Sequence, residues 1–190
     1  MTEVLNPYPD PAGANRILTA TEHWLERAVI GLNLCPFAKS VFVKKQVRYA
    51  LTAAGSADEL LAELEHELNL LAASDPAELD TTLLIHPQAM TDFLDYHFFL
   101  AEADALLKNL GYEGVFQIAS LHPQYEFAGS DPDDIANFTN RSPCPTLHLL
   151  RESSIDRAVA AFPDAADIFE RNIETMERLG HEGWRKLWLA

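Results

Sequence analysis

At 190 residues the chain has room for one domain and a buried core, and 48 % hydrophobic against 23 % charged residues excludes wholesale disorder. Fourteen Lys and Arg against twenty-nine Asp and Glu leave a net charge of −15, a field that repels phosphate backbones and argues against nucleic acid as a partner. The start of the chain has no basic, apolar leader, no run approaches the ~20 apolar residues of a membrane span, and two cysteines do not make a disulfide scaffold. The expectation is a cytoplasmic protein with no membrane partner.

Pro7, Pro9, Pro11 and Gly13 predict an extended arm over residues 1–14, leaving 15–190 as the single globular domain. Apolar residues from Ile17 to Leu32 recur at helical spacing and predict a helix over 15–32, broken by Pro36. Alternation from Val41 to Leu51 predicts a strand. Ser56 and Glu59 form a capping box ahead of Leu60, Leu61, Leu64, Leu68 and Leu71, which predict the next helix. A short strand follows at 81–86, a helix at 91–110 stopped by Gly111, and a third strand at 115–121. Residues 122–145 are a long connection rich in Pro, Gly, Asn and Asp, with one helical turn expected near 132–138. A fourth strand at 146–151 and helices at 154–162 and 164–179 close the chain, with Trp184 and Trp188 in a tail that folds back. Strands separated by helices favour parallel pairing. The predicted fold is α/β (or α+β): a mixed, largely parallel four-stranded sheet covered by helices.

Three groups of residues are candidates for chemistry. His-Pro-Gln follows a strand twice, at His86 and at His122, and parallel strands would bring both rings to one carboxyl edge. Cys35 and Cys144 each precede a proline in a loop. They read as a reversible dithiol, as a nucleophile activated by histidine, as partners of His122 and His148 around a metal, or as ordinary buried thiols; a dithiol requires them to be neighbours. Their spacing matches no zinc pattern, and no metal site or cofactor is implied. The densest cluster surrounds Arg141, whose guanidinium in a proline-flanked turn suits a carboxylate or phosphate, with Lys39, Lys44 and Arg48 as further positive charge. The alternative is an ion pair with Asp131, Asp133 and Asp134. His148, alternating with Leu147 and Leu149, reads as a half-buried sheet residue rather than a base.

Trp24-Leu25-Glu26-Arg27 through Asn33-Leu34-Cys35-Pro36-Phe37-Ala38, Gln117 to Tyr125, and Asn140-Arg141-Ser142-Pro143-Cys144-Pro145 together resemble the uncharacterised family catalogued as domain of unknown function 1415, found mainly in bacteria and plants. The resemblance runs over nearly the whole chain and implies a single-domain protein of this length, with no activity attached.

The residues lead to a small enzyme or ligand-binding protein for a small anionic metabolite, with its pocket at the strand ends and the 122–145 loop. His122 would be the acid/base, Cys35 or Cys144 the nucleophile or redox partner, and Arg141 the anion clamp, with Tyr125, Asn140 and His86 positioning the ligand. The competing expectation is a non-catalytic interaction module, in which the tail tryptophans and the proline-rich arm form a partner surface and the cysteines are inert.

Overall fold

The computed structural model describes residues 10–161 and 167–188. Proline is tolerated in the first turn of a helix, where its missing N–H has no partner to lose. Helix α1 (Pro11–Trp24) uses this: Asp10 caps it by accepting from the Ala12 N–H at 3.1 Å. Residues 11–14 are therefore helical rather than an arm, and residues 1–9 lie outside the described residues. The helix continues in π-helical form over Leu25–Ile30, where the Gly31 N–H donates to the Glu26 carbonyl five residues back. A Cβ built on Gly31 runs into the Arg27 carbonyl, so this widened turn requires glycine.

The strand expected over 41–51 is half helix. Helix α2 (Ala38–Val43) takes its first part, because Lys44 and Gln46 bond back to the Ser40 and Val41 carbonyls, and Lys45 at φ 59° then turns the chain. Only Val47–Leu51 form strand β1. Alternating valines satisfy a strand pattern and one short helical face equally well.

Helix α3 (Ala57–Ala73) starts at the capping box: Ser56 accepts from the Glu59 N–H, and the Glu59 carboxylate takes the Gly55 N–H at 2.8 Å. Arg48 of β1 grips Glu67 of α3 through two nitrogens at 2.7 and 2.9 Å. Strand β2 (Thr81–Ile85) is buried throughout. Helix α4 (Phe93–Asn109) is capped by Asp92 and ends ahead of Gly111 at φ 76°. Strands β3 (Phe116–Leu121) and β4 (Thr146–Arg151) are followed by α5 (Glu152–Ala161) and α6 (Ile168–Lys186). Helix α6 kinks at Gly180 (φ 62°) but continues past it, carrying Trp184 into the core at 8 % exposure. That burial removes Trp184 from any partner surface.

The four-stranded sheet has the order β1-β2-β4-β3, with β1 parallel to β2 and β4 antiparallel to both its neighbours. The class is α+β, and the largely parallel sheet is corrected to a mostly antiparallel one. The reason lies in the long connection. It leaves β3 and comes back to the same edge, where the Asn140 and Pro145 carbonyls accept from the His122 and His86 N–H groups. A strand starting from that edge has to run back, and β4 does so between β2 and β3.

Each face of the sheet has its own core. Leu60, Leu64 and Leu68 of α3 and Tyr96, Phe99 and Ala103 of α4 pack on Leu84, Leu147 and Leu149, each buried leucine contributing roughly 2 kcal/mol. On the other face Trp24, Leu25, Val29, Met176 and Trp184 pack around Leu83 and Ile85. That second cover is incomplete over the middle of the sheet.

Candidate ligand cavity

The two His-Pro-Gln segments do reach one edge, because β2 and β3 each run opposite to β4. Their recurrence has a structural cause. In each, the residue after Gln donates its N–H to the histidine carbonyl (Ala89 to His86 at 3.3 Å, Tyr125 to His122 at 3.0 Å), a four-residue turn with proline at its second position. Both rings are fully buried. His122 accepts the Gln124 N–H on Nδ1 at 3.0 Å and donates from Nε2 to the Met90 carbonyl at 3.2 Å, so neither nitrogen remains for a substrate. His86 donates from Nδ1 to the Ala89 carbonyl, and its Nε2 is buried without a partner. Tyr96 lies against both rings at 5.1 and 5.8 Å, donating to the Thr146 carbonyl and accepting the Leu121 N–H. Burial lowers the pKa of both histidines, that of His86 to about 4. The pair joins three strand ends.

Arg141 is likewise occupied, though not by carboxylates. It donates from Nε to the Tyr125 carbonyl at 3.1 Å and from Nη2 to the Pro132 carbonyl at 2.7 Å, with its guanidinium 4.2 Å from the centre of the Phe138 ring. It pins the long loop to itself, with Asn137, whose side chain bonds Phe127, Ser130 and Asp131. Tyr125 gives its ring to Phe93 and Phe127. Arg48, paired with Glu67, is not part of an anion site around Arg141.

The concavity that remains lies on the incompletely covered sheet face. It is a cavity of about 910 Å³ between the strands and α1, its π-helical extension, α2, α5 and α6, within the range of small-molecule sites. Register sets its floor. Val47, Thr81, Leu150 and Gln117 form the row at the amino edge of β1 and β2; Leu83, His148 and Ala119 follow in the next; Leu121 belongs to the row at the carboxyl edge. His148 thus stands in mid-floor.

Its hydrogen bonds fix its tautomer. The Thr81 hydroxyl donates its proton to the Leu149 carbonyl at 2.7 Å, so toward His148 it can only accept, and the 2.8 Å contact is an Nε2–H donating to Thr81. Nδ1 is left as a bare acceptor, with no partner among the described residues, on a ring that lines the cavity. Desolvation by the surrounding protein pushes the His148 pKa down to about 4, so the ring is neutral at physiological pH.

Of the other candidates, Cys35 and Asn140 line this cavity beside Leu34 and Asn172. Cys35 and Cys144 are free, half-buried thiols against the same core cluster. Burial raises both thiol pKa values; for Cys35 it outweighs the opposing pull of the Phe37 and Ala38 backbone N–H groups. Neither is a ready thiolate. Among the described residues no group of three or more His, Cys, Asp or Glu side chains is arranged to hold a metal ion, and no helix is long and apolar enough to cross a membrane.

The family described as Protein of unknown function (DUF1415) matches residues 16–186. The chain belongs to that family. No curated protein and no solved structure matches it. In this DUF1415 chain the residue that sequence reasoning set aside is His148. Its alternation with Leu147 and Leu149 places it on the opposite face from them, and only the gap between α1 and α5 makes that face a cavity floor. A polar residue inside an otherwise apolar strand was the available signal.

Proposed function

We propose that the chain binds a small organic molecule in the cavity over the open sheet face, with His148 Nδ1 accepting a hydrogen bond from it. The observation that carries this reading is a half-buried, neutral histidine whose donor is committed to Thr81, leaving an acceptor with no partner among the described residues in a cavity of about 910 Å³. Binding is favoured over catalysis by the same chemistry. A general base works best with a pKa near the working pH, and about 4 is far below it; both thiols are held protonated, and both nitrogens of His122 are engaged. Cys35, Asn140 and Asn172 are the further groups at the carboxyl-edge end.

The test is saturable binding of the fluorescent probe 1-anilinonaphthalene-8-sulfonate to the full chain. Ala119→Trp fills the middle of the floor and is expected to abolish one saturable site, and to abolish the protection that bound probe gives Cys35 against iodoacetamide. Probe binding that is unsaturable, or untouched by Ala119→Trp in a variant with native circular dichroism, overturns the reading.

A further inference from the structure

The charged residues in the lining are not spread along the cavity. Among the described residues they are Lys44, Asp80, Arg151 and Arg157. Register puts all of them at one end. Asp80 immediately precedes Thr81 at the start of β2; Lys44 lies three residues before β1; Arg151 ends β4, which runs antiparallel to β2 and so finishes where β2 starts; Arg157 follows on α5. The opposite end, at the carboxyl edge, is lined by Leu34, Cys35, Pro36, Thr139, Asn140 and Asn172, none of them charged at neutral pH. Three cations and one carboxylate at one mouth, in a chain of net charge −15, make a local positive end.

The partners at that end show which charges are available. Arg151 is held by its Nε and Nη2 on the carbonyls of Leu71, Ser74 and Leu79. Asp80 accepts the Ser154 hydroxyl proton at 2.5 Å, and Arg157 Nη2 donates to the same Ser154 oxygen at 2.9 Å. Among the described residues Arg157 makes no other hydrogen bond or ion pair, and the Lys44 ammonium makes none. Lys44 and Arg157 are thus two cations with donors to spare beside an apolar passage, the arrangement that receives an anionic head.

We infer that the ligand is an amphipathic organic anion lying along the strands, with its anionic head at Lys44 and Arg157, its middle over His148, and its apolar end toward Leu34 and Leu121. This rests on the cavity reading above and adds polarity to it. The four residue steps from the Val47–Thr81 row to the Leu51–Ile85 row span roughly 13 Å, room for an extended chain of about ten carbons. The His148 row lies roughly 7 Å along that path, so a hydroxyl or amide N–H in mid-chain would meet Nδ1.

Decanoate and decan-1-ol share the chain and differ in the head, so calorimetric titration of both into the full chain separates the two readings. Decanoate is expected to bind roughly tenfold tighter or better, as partly screened charge pairs allow. The double variant Lys44→Glu/Arg157→Glu should remove that preference while changing decan-1-ol binding less than about twofold. Lys39→Glu/Lys45→Glu, at two nearby cations outside the lining, makes the same change in net charge and is the control. Equal binding of the two compounds, or an equal loss in Lys39→Glu/Lys45→Glu, overturns the inferred polarity and leaves the cavity reading standing. If neither compound binds and neither protects Cys35 from iodoacetamide, the cavity reading falls and takes the polarity with it.

Discussion

His86 and His148 make the fold acid-labile in a narrow pH window. Each ring has a pKa displaced from the ordinary 6.5 to about 4, burial being the first cause in both. In the unfolded chain both titrate near 6.5. Between pH 6.5 and 4 the unfolded state therefore binds up to two more protons than the native state, and stability falls as pH falls. Above pH 6.5 the contribution is complete; below 4 both states are protonated and the slope disappears. At about 1.4 kcal/mol per proton per pH unit, the two rings together remove about 4 kcal/mol between pH 7 and pH 5. Against a typical total of about 5–15 kcal/mol, that loss is visible as a large drop in urea midpoint. His122, also lowered by burial, adds in the same direction, whereas Glu63, whose carboxyl is raised by burial, opposes it. The assay is urea unfolding followed by tryptophan fluorescence at pH 7.5, 6.5, 5.5 and 4.5 and fixed ionic strength. His148→Gln keeps a donor for Thr81 and His86→Asn keeps one for the Ala89 carbonyl, and neither side chain titrates. Each variant should flatten the slope by about one proton. A wild-type loss below about 1 kcal/mol between pH 7 and 5, or an unchanged slope in both variants, refutes the assignment of these rings as desolvated and neutral.

Arg151→Ala takes the guanidinium donors from the carbonyls of Ser74 and Leu79, leaves the Leu71 carbonyl with the Ser74 N–H alone, and removes a cation from above the Phe116 ring. Urea unfolding should show a loss of about 3–5 kcal/mol, with Arg151→Lys recovering only part of it because an ammonium lacks the fork. Arg141→Ala unties Tyr125, Pro132 and Phe138 and should cost about 1.5–3 kcal/mol in the same assay while exposing residues 122–145 to limited proteolysis. Native Cys35 and Cys144 should both react with Ellman's reagent at pH 7.5 more slowly than in urea, and one fast thiol in the native state would contradict their raised pKa values.

What could be read from residues alone was local. Strand 146–151 has the bounds its alternation predicts, because a half-buried strand advertises its period in every residue. The Ser56–Glu59 box and Gly111 mark helix ends for equally local reasons: a hydroxyl and a carboxylate satisfy N–H groups a few residues away, and glycine alone takes φ 76° at no steric cost. Pro11 carried a local signal too, that of a first helical turn, which the surrounding prolines obscured. The rest was decided by contacts between residues far apart in the chain. Nothing within 146–151 states that β4 lies between β2 and β3. Its position and direction follow from a loop that closes on its starting edge through the His122–Asn140 and His86–Pro145 backbone bonds. The same closure turned the most conspicuous sequence candidates, His122 and Arg141, into fasteners, since a buried donor or acceptor takes the nearest carbonyl or amide available. His148 shows the reverse. Its residue type and alternation were legible, but its role depends on Thr81, sixty-seven positions away, setting its tautomer and on helices from both ends of the chain leaving its face of the sheet uncovered.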